Sequence, residues 1–161
     1  RLSYKGWGEI LCFFAFGPIA FAAVSYSQIK GWSVTSFAAS CVVGIATSLI
    51  LFCSHFNQVK DDAAVGKKTP VVRLGPKRAA HLLPWICGSV YGLTVLFICL
   101  NLFPLWTLLV FASLPYAYQL CRVIQHHYRQ PEKLTDCRFI AVAFHFWAGL
   151  MLGVGFVLGA G

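Results

Sequence analysis

HFNQVKDDAAVGKKTPVVRLGPKR, residues 55–78, is a polar island between long apolar runs. It holds two adjacent carboxylates, Asp61 and Asp62, and six of the thirteen Lys and Arg residues. Such a stretch is either a solvated loop or a site, and its flanks bear on the choice. The chain as a whole is 58% hydrophobic and only 11% charged. A soluble domain carries about 25% charged residues to dress its surface. With too few to do so, the chain is expected to have lipid as its solvent. The expected fold class is all-α, a polytopic transmembrane helix bundle.

A spanning helix needs about 20 mostly apolar residues. Working outward from the island, five stretches meet that length: 8–27, 33–56, 81–102, 104–121 and 139–158. Gly17-Pro18 is expected to kink the first, because proline removes a backbone donor. The second is rich in Ala38, Ala39, Ser40, Gly44 and Ala46, small residues that let helix backbones approach closely within a membrane. Pro70 and Pro76 are expected to mark an irregular site loop over 55–80. Asn101 to Pro104 reads as a tight return, and Pro115 as a second kink. A polar connector is expected over 122–138.

The charges support this span count. Five spans place the N-terminal edge, the island and the 122–138 connector on one side of the membrane. That side holds Arg1, Lys5, Lys60, Lys67, Lys68, Arg73, Lys77, Arg78, Arg122, Arg129, Lys133 and Arg138, against Lys30 alone on the other. Positive charge collects on the cytoplasmic side, or its organellar equivalent. The island is therefore expected to face the cytoplasm or stroma. Basic residues confined to the gaps between apolar runs point to lipid heads or a phosphorylated ligand, and not to nucleic acid. The seven cysteines are scattered without a CxxC pair and read as packing residues. Residue 1 is Arg and the single methionine is Met151, so residues 1–161 are expected to be the C-terminal portion of a longer chain.

If the second helix runs on past Phe56, Gln58, Asp61 and Asp62 fall at i, i+3 and i+4 on one face, and Asn57 pairs with Asp61 at i, i+4. Mg²⁺ is usually held by one or two carboxylates, with substrate phosphates and water completing its shell. Gly66 suits the position just past a helix end. Lys67, Lys68 and Arg73 come next, cations able to contact phosphate oxygens. Carboxylates for a metal and cations for an anion, at the mouth of a lipid-embedded bundle, suggest a diphosphate with a greasy tail. On composition alone, a basic loop whose aspartates merely offset charge explains the island equally well.

Other polar residues have plainer readings. His55 adjoins the island and is a candidate to orient substrate or accept a proton. His145 reads as a hydrogen-bonded packing residue, and His126-His127 as solvated. Tyr118 and Arg122 end the fourth helix; the ring suits an interface belt, or the shielding of a carbocation beside the site.

NQVKDDAAVGKKTPVVRLG resembles the second aspartate-rich motif and following loop of the intramembrane aromatic prenyltransferases, the UbiA superfamily. Gly66 to Gly75, in the pattern G-K-x-[ST]-x-x-V-R-L-G, is most similar to the branch that prenylates 1,4-dihydroxy-2-naphthoate. HFNQV-x-DD, with Pro70 after Thr69, resembles its cyanobacterial and plant phytyltransferases, as does the opening RLSYKGWGEILCFFAFGP. The resemblance covers the whole chain as helices five to nine of a nine-helix fold. It implies that prenyl (phytyl) diphosphate is ionised with Mg²⁺ and coupled to 1,4-dihydroxy-2-naphthoate with loss of CO₂, in phylloquinone or menaquinone synthesis. It also implies a plastid or cyanobacterial membrane.

Carried over by position, Asp61 and Asp62 would assist Mg²⁺–diphosphate binding and Lys67 and Arg73 would neutralise diphosphate charge. Asn57 and Gln58 would support the metal shell. Many family members have an aspartate where Gln58 stands, which makes Gln58 the weakest of these ligands and Asp62 the strongest. The family's first aspartate-rich motif lies upstream of residue 1, so the 161-residue chain is expected to hold half the metal site and to be inactive alone. Two other classes remain open on the residues alone. One is a non-catalytic membrane scaffold or transporter module; the other is a haem- or quinone-binding electron carrier.

Overall fold

The helix that the others pack against begins where Ser33 adopts an extended backbone and its side chain accepts a hydrogen bond from the Ser36 N–H at 3.3 Å. This is an N-cap, which satisfies one of the donors left free at a helix start. In the computed structural model, which describes residues 3–160, this helix (α2, Val34–Asn57) is preceded by α1 (Gly8–Ile29). After it come two short helices, α3 (Val59–Ala64) and α4 (Pro70–Leu74), and then α5 (Pro76–Cys99), α6 (Leu105–His127) and α7 (Cys137–Gly159). Single 3₁₀ turns at Ser3–Lys5 and Pro131–Leu134 complete the order, and there is no strand among the described residues. The five long segments are long and apolar enough to cross a membrane, as the sequence predicts. Arg1, one of the cations on the basic side, lies outside the described residues.

Pro18 bends α1 as expected. The helix opens into a π turn at Ala15–Ile19, and Gly17 leaves helical geometry with φ −101° and ψ −105°. The bend falls where α1 touches α2 most closely. A Cβ on Gly17 would stand 2.7 Å from the Ser40 carbonyl oxygen, and one on Gly44 would stand 2.9 Å from the Phe13 carbonyl oxygen. Backbone cannot yield as a side-chain tip can, so only glycine permits this crossing. The core then runs along α2 through Leu49, Cys53 and Phe56, against Leu83 of α5, Leu120 of α6 and Phe144 of α7, all buried. Many of the large apolar residues on the outside, such as Phe16, Trp85, Leu105 and Val157, remain exposed, which in a bilayer is the lipid-facing surface.

Four expectations about boundaries need correction. The 55–80 stretch is not an irregular loop: Thr69 caps α4 by accepting from the Val72 N–H at 3.3 Å, and Pro70 and Pro76 each occupy the first turn of a helix. Proline fits there because its missing N–H would have had no intrahelical partner. The third span therefore starts at Pro76 instead of 81, with Lys77 and Arg78 in its first turn. The fourth runs to His127, beyond 121, because Ala117, Leu120 and Ile124 continue one buried stripe past the point where polar residues dilute the apolar run. Its first half, Leu105–Ser113, is 3₁₀, and the α-helix begins at Leu114 with Pro115 in its first turn, so the expected kink is a change of helix type. The connector shrinks accordingly, and the last helix begins at Cys137.

The cysteines are all free, and Cys53, Cys87 and Cys137 are buried in the core as packing residues, whereas Cys99 is exposed. His145 Nδ1 lies 3.4 Å from Thr47 Oγ1, which agrees with its reading as a hydrogen-bonded packing residue.

Candidate diphosphate site

The island folds around a helix end. α2 stops at Asn57, where Gln58 turns with φ −93° and ψ 7°, and α3 starts at once with the Asp62 N–H donating to the Gln58 carbonyl at 2.8 Å. The expected continuation of the second helix is thus broken at Gln58, though the break is shallow. Asp61 and Asp62, one residue apart, point about 100° from each other around α3. Asp62 turns inward and is buried, whereas Asp61 and Gln58 are exposed and Asn57 is half-buried.

The turn after α3 places the cation. Gly66 has φ +71°, the left-handed backbone that favours glycine at a helix terminus. The Gly66 N–H donates to the Ala63 carbonyl at 3.1 Å and the Lys67 N–H to the Asp62 carbonyl at 2.8 Å. This pair of bonds is a Schellman motif, with Gly66 in the position the sequence assigns it. The chain reversal returns Lys67 to the start of the turn, where its Nζ donates to Asp62 Oδ1 at 3.1 Å. The Lys68 N–H donates to the Tyr4 carbonyl at 2.9 Å, tying the island to the N-terminal 3₁₀ turn. Arg73 is exposed in the last turn of α4.

Of the predicted site residues, Asp62 and Lys67 are therefore in direct contact. Tyr118 and Arg122 lie on the exposed face of α6, where they line a cleft with Cys121, Gln125 and His126 and with no residue of the island.

His55 has a partner that sequence reasoning missed. Its Nδ1 approaches Glu9 Oε1 at 2.8 Å, close enough for an ion pair, without an aligned hydrogen bond. The two side chains are 4% and 14% exposed, so neither meets bulk water. A buried ionisable group is costly unless another faces it, and the pair offsets that cost. A signal was present: Glu9 and His55 lie at nearly equal distances on either side of the turn at 30–33. Next to them an apolar cleft of about 330 Å³ opens between α1, α2, α4 and α5, lined by Phe13, Phe52, Pro70, Leu82, Ile86 and the stem of Glu9 among others. Its volume is at the lower end of the roughly 300–1,000 Å³ of ligand pockets.

The donor set can be tested for a divalent cation. Asp62 Oδ2 is buried and has no hydrogen-bond partner, a free carboxylate oxygen of the kind a hard cation ligates. Among the described residues no three His, Cys, Asp or Glu side chains converge on one point. A site of one or two carboxylates fits Mg²⁺, which takes its remaining ligands from phosphates and water.

Comparison with known proteins bears on the same residues. The UbiA prenyltransferase family matches residues 1–149. The chain belongs to that family. As a UbiA member it is 46% identical over 97% of its length to the 2-carboxy-1,4-naphthoquinone phytyltransferase of Synechocystis, covering 51% of that protein. It is 37% identical over 98% of its length to the chloroplastic 2-carboxy-1,4-naphthoquinone phytyltransferase of Arabidopsis thaliana, covering 44%. A 1,4-dihydroxy-2-naphthoate octaprenyltransferase of Mycobacterium tuberculosis is 26% identical over 93% of the chain, which covers 50% of it. The chain thus spans about half the length of the curated relatives it matches. No solved structure matches it. Family membership and the five apolar spans make it an integral membrane protein with an all-α fold.

Proposed function

We propose that the chain forms the diphosphate-binding part of an enzyme that transfers a prenyl group, phytyl in particular, from prenyl diphosphate to 1,4-dihydroxy-2-naphthoate. The observation that carries this reading is the Asp62–Lys67 pair, a buried carboxylate with one free oxygen and a cation fixed beside it. The names and similarity of the relatives supply the acceptor and the tail.

In this reading Asp62 and, from the exposed side, Asp61 would hold Mg²⁺, with Asn57 and Gln58 supporting its shell. Bound there, Mg²⁺ would supply charge neutralisation on the diphosphate oxygens. Lys67 and Arg73 hold the same oxygens by charge-assisted hydrogen bonds. Stabilising the leaving group lets the allylic C–O bond break, and its electron pair leaves with the diphosphate. The electron-rich ring carbon that bears the carboxylate then forms the new C–C bond. The ring carboxylate departs as CO₂, and the electrons of its bond restore the aromatic ring, so no proton has to be removed for this step. The apolar cleft beside the island keeps water from the cation. The collection of basic residues on one side supports a stromal or cytoplasmic position for the island, and the cyanobacterial and chloroplastic relatives support a cyanobacterial or plastid membrane.

Titrating the full-length protein with phytyl thiodiphosphate, with and without Mg²⁺, tests the reading. Mg²⁺ is expected to tighten binding at least tenfold. Affinity indifferent to Mg²⁺ would contradict it.

A further inference from the structure

A second cluster of cations lies on the other side of α3. Lys60 stands two residues before Asp62, a rotation of about 200° around the helix, so the two side chains leave α3 on nearly opposite faces. On the Lys60 face a cleft of about 400 Å³ is lined by Lys60 of α3, Lys77 of α5 and Arg129, just past α6. Three elements thus contribute one cation each. Val59, Pro76, Tyr128 and Pro131 form the apolar part of the cleft. The Arg129 guanidinium sits over the Tyr128 ring at 5.5 Å, which orients it. Glu132 lies 3.8 Å from Lys60, and both side chains of that pair are largely exposed. An ion pair so exposed contributes little and gives way readily to a stronger anion.

The cleft also has a defined depth. α3 continues from the end of α2, Lys77 is in the first turn of α5, and Arg129 lies just past the end of α6. All three cations therefore stand at the basic end of the bundle, where the apolar spans stop and lipid headgroups begin. Basic pockets between transmembrane helices at this level bind anionic headgroups. The first turn of α5 adds the positive end of a 24-residue helix.

We infer that Lys60, Lys77 and Arg129 form a binding site for the phosphate of an anionic membrane lipid, separate from the Asp62–Lys67 pair. The cations hold the phosphate, and the apolar residues beside them meet the glycerol backbone and the first methylenes of the tails. This assignment does not depend on the proposed prenyl transfer, because its ligand is a component of the bilayer.

The test uses the full-length protein in nanodiscs containing phosphatidylcholine with a minor fraction of phosphatidylglycerol, and then native mass spectrometry of retained lipid. The triple variant Lys60→Gln, Lys77→Gln, Arg129→Gln is compared with Lys5→Gln, Lys133→Gln, Arg138→Gln. The second variant removes the same charge from exposed positions outside the cleft. A cation held against the lipid phosphate is expected to contribute about fivefold, and one separated from it by water and salt is screened and contributes less. The cleft variant is therefore expected to lose at least tenfold of its preference for phosphatidylglycerol, and the control less than threefold. Equal losses would mean that net charge alone attracts the lipid and would overturn the site, as would no loss in either. Competition by inorganic phosphate separates the two sources of phosphate: it is expected to displace no lipid at millimolar concentration, and efficient displacement would assign the cleft to a soluble anion instead.

Discussion

Replacing Asp62 with alanine in the full-length protein is expected to lower turnover by about 10²–10³-fold. The figure corresponds to the ~3–4 kcal/mol lost when one group of a charge-stabilising constellation is removed. Asp62 carries this effect because it is the inward-facing carboxylate of the island and has one oxygen without a protein partner. Asp62→Asn keeps the size and the Lys67 contact while removing the charge, so it separates a folding defect from a binding defect. Both variants are expected to retain the fold in detergent and to lose the response to Mg²⁺. The exposed Asp61 is expected to matter less, with a smaller loss for Asp61→Ala than for Asp62→Ala. Near-normal turnover of Asp62→Ala at saturating Mg²⁺ would remove Asp62 from the site.

Lys67→Met is expected to have the second largest effect, and on two quantities at once. Lys67 sits 3.1 Å from a carboxylate that is 9% exposed, and is itself 22% exposed. Removing one partner of a fully buried pair costs about 3–5 kcal/mol, because the other charge is left without compensation. Partial exposure reduces this to roughly 1.5–3 kcal/mol, the range of a hydrogen bond to a charged group. Thermal stability in detergent should fall by that amount. The KM for prenyl diphosphate should rise at least tenfold, since the same ammonium holds the diphosphate in the proposed reaction. Lys133→Met, on an exposed turn outside the site, is expected to leave both within twofold. A Lys67 variant that loses stability with an unchanged KM would make the residue a structural partner of Asp62 and nothing more.

Much of the fold is legible in the residues, for reasons that can be named. Apolar length marks five spans because a lipid solvent leaves the helix few other signals to carry. Gly66 announces a helix terminus because a left-handed residue there is most often glycine, and the motif it closes is what delivers Lys67 to Asp62. Pro18 announces the bend in α1. The errors also have physical causes. Pro70 and Pro76 resemble loop markers because proline breaks a helix interior, yet it is at home in a first turn, and the island is two short helices and their caps. The fourth helix outlasts its apolar run because a helix beyond the membrane needs only one buried stripe, here Ala117, Leu120 and Ile124. Asp62 turns inward because it lies seven residues after buried His55 and continues that stripe, whereas Asp61 falls off it, a difference hidden when Gln58, Asp61 and Asp62 are grouped on one face. The Glu9–His55 contact requires knowing that α1 and α2 pack side by side, and only then does their equal distance from the intervening turn acquire meaning.

The central claim is that the island binds and activates a prenyl diphosphate for transfer to a naphthoate. It is tested most directly by incubating the full-length protein in lipid with phytyl diphosphate, 1,4-dihydroxy-2-naphthoate and Mg²⁺, and measuring prenylated product together with CO₂. The account predicts the two in equal amounts, both abolished by chelation of Mg²⁺ and both reduced about 10²–10³-fold in Asp62→Ala. Product formation indifferent to Asp62 and to Mg²⁺, or no product from the full-length wild-type protein, would contradict it.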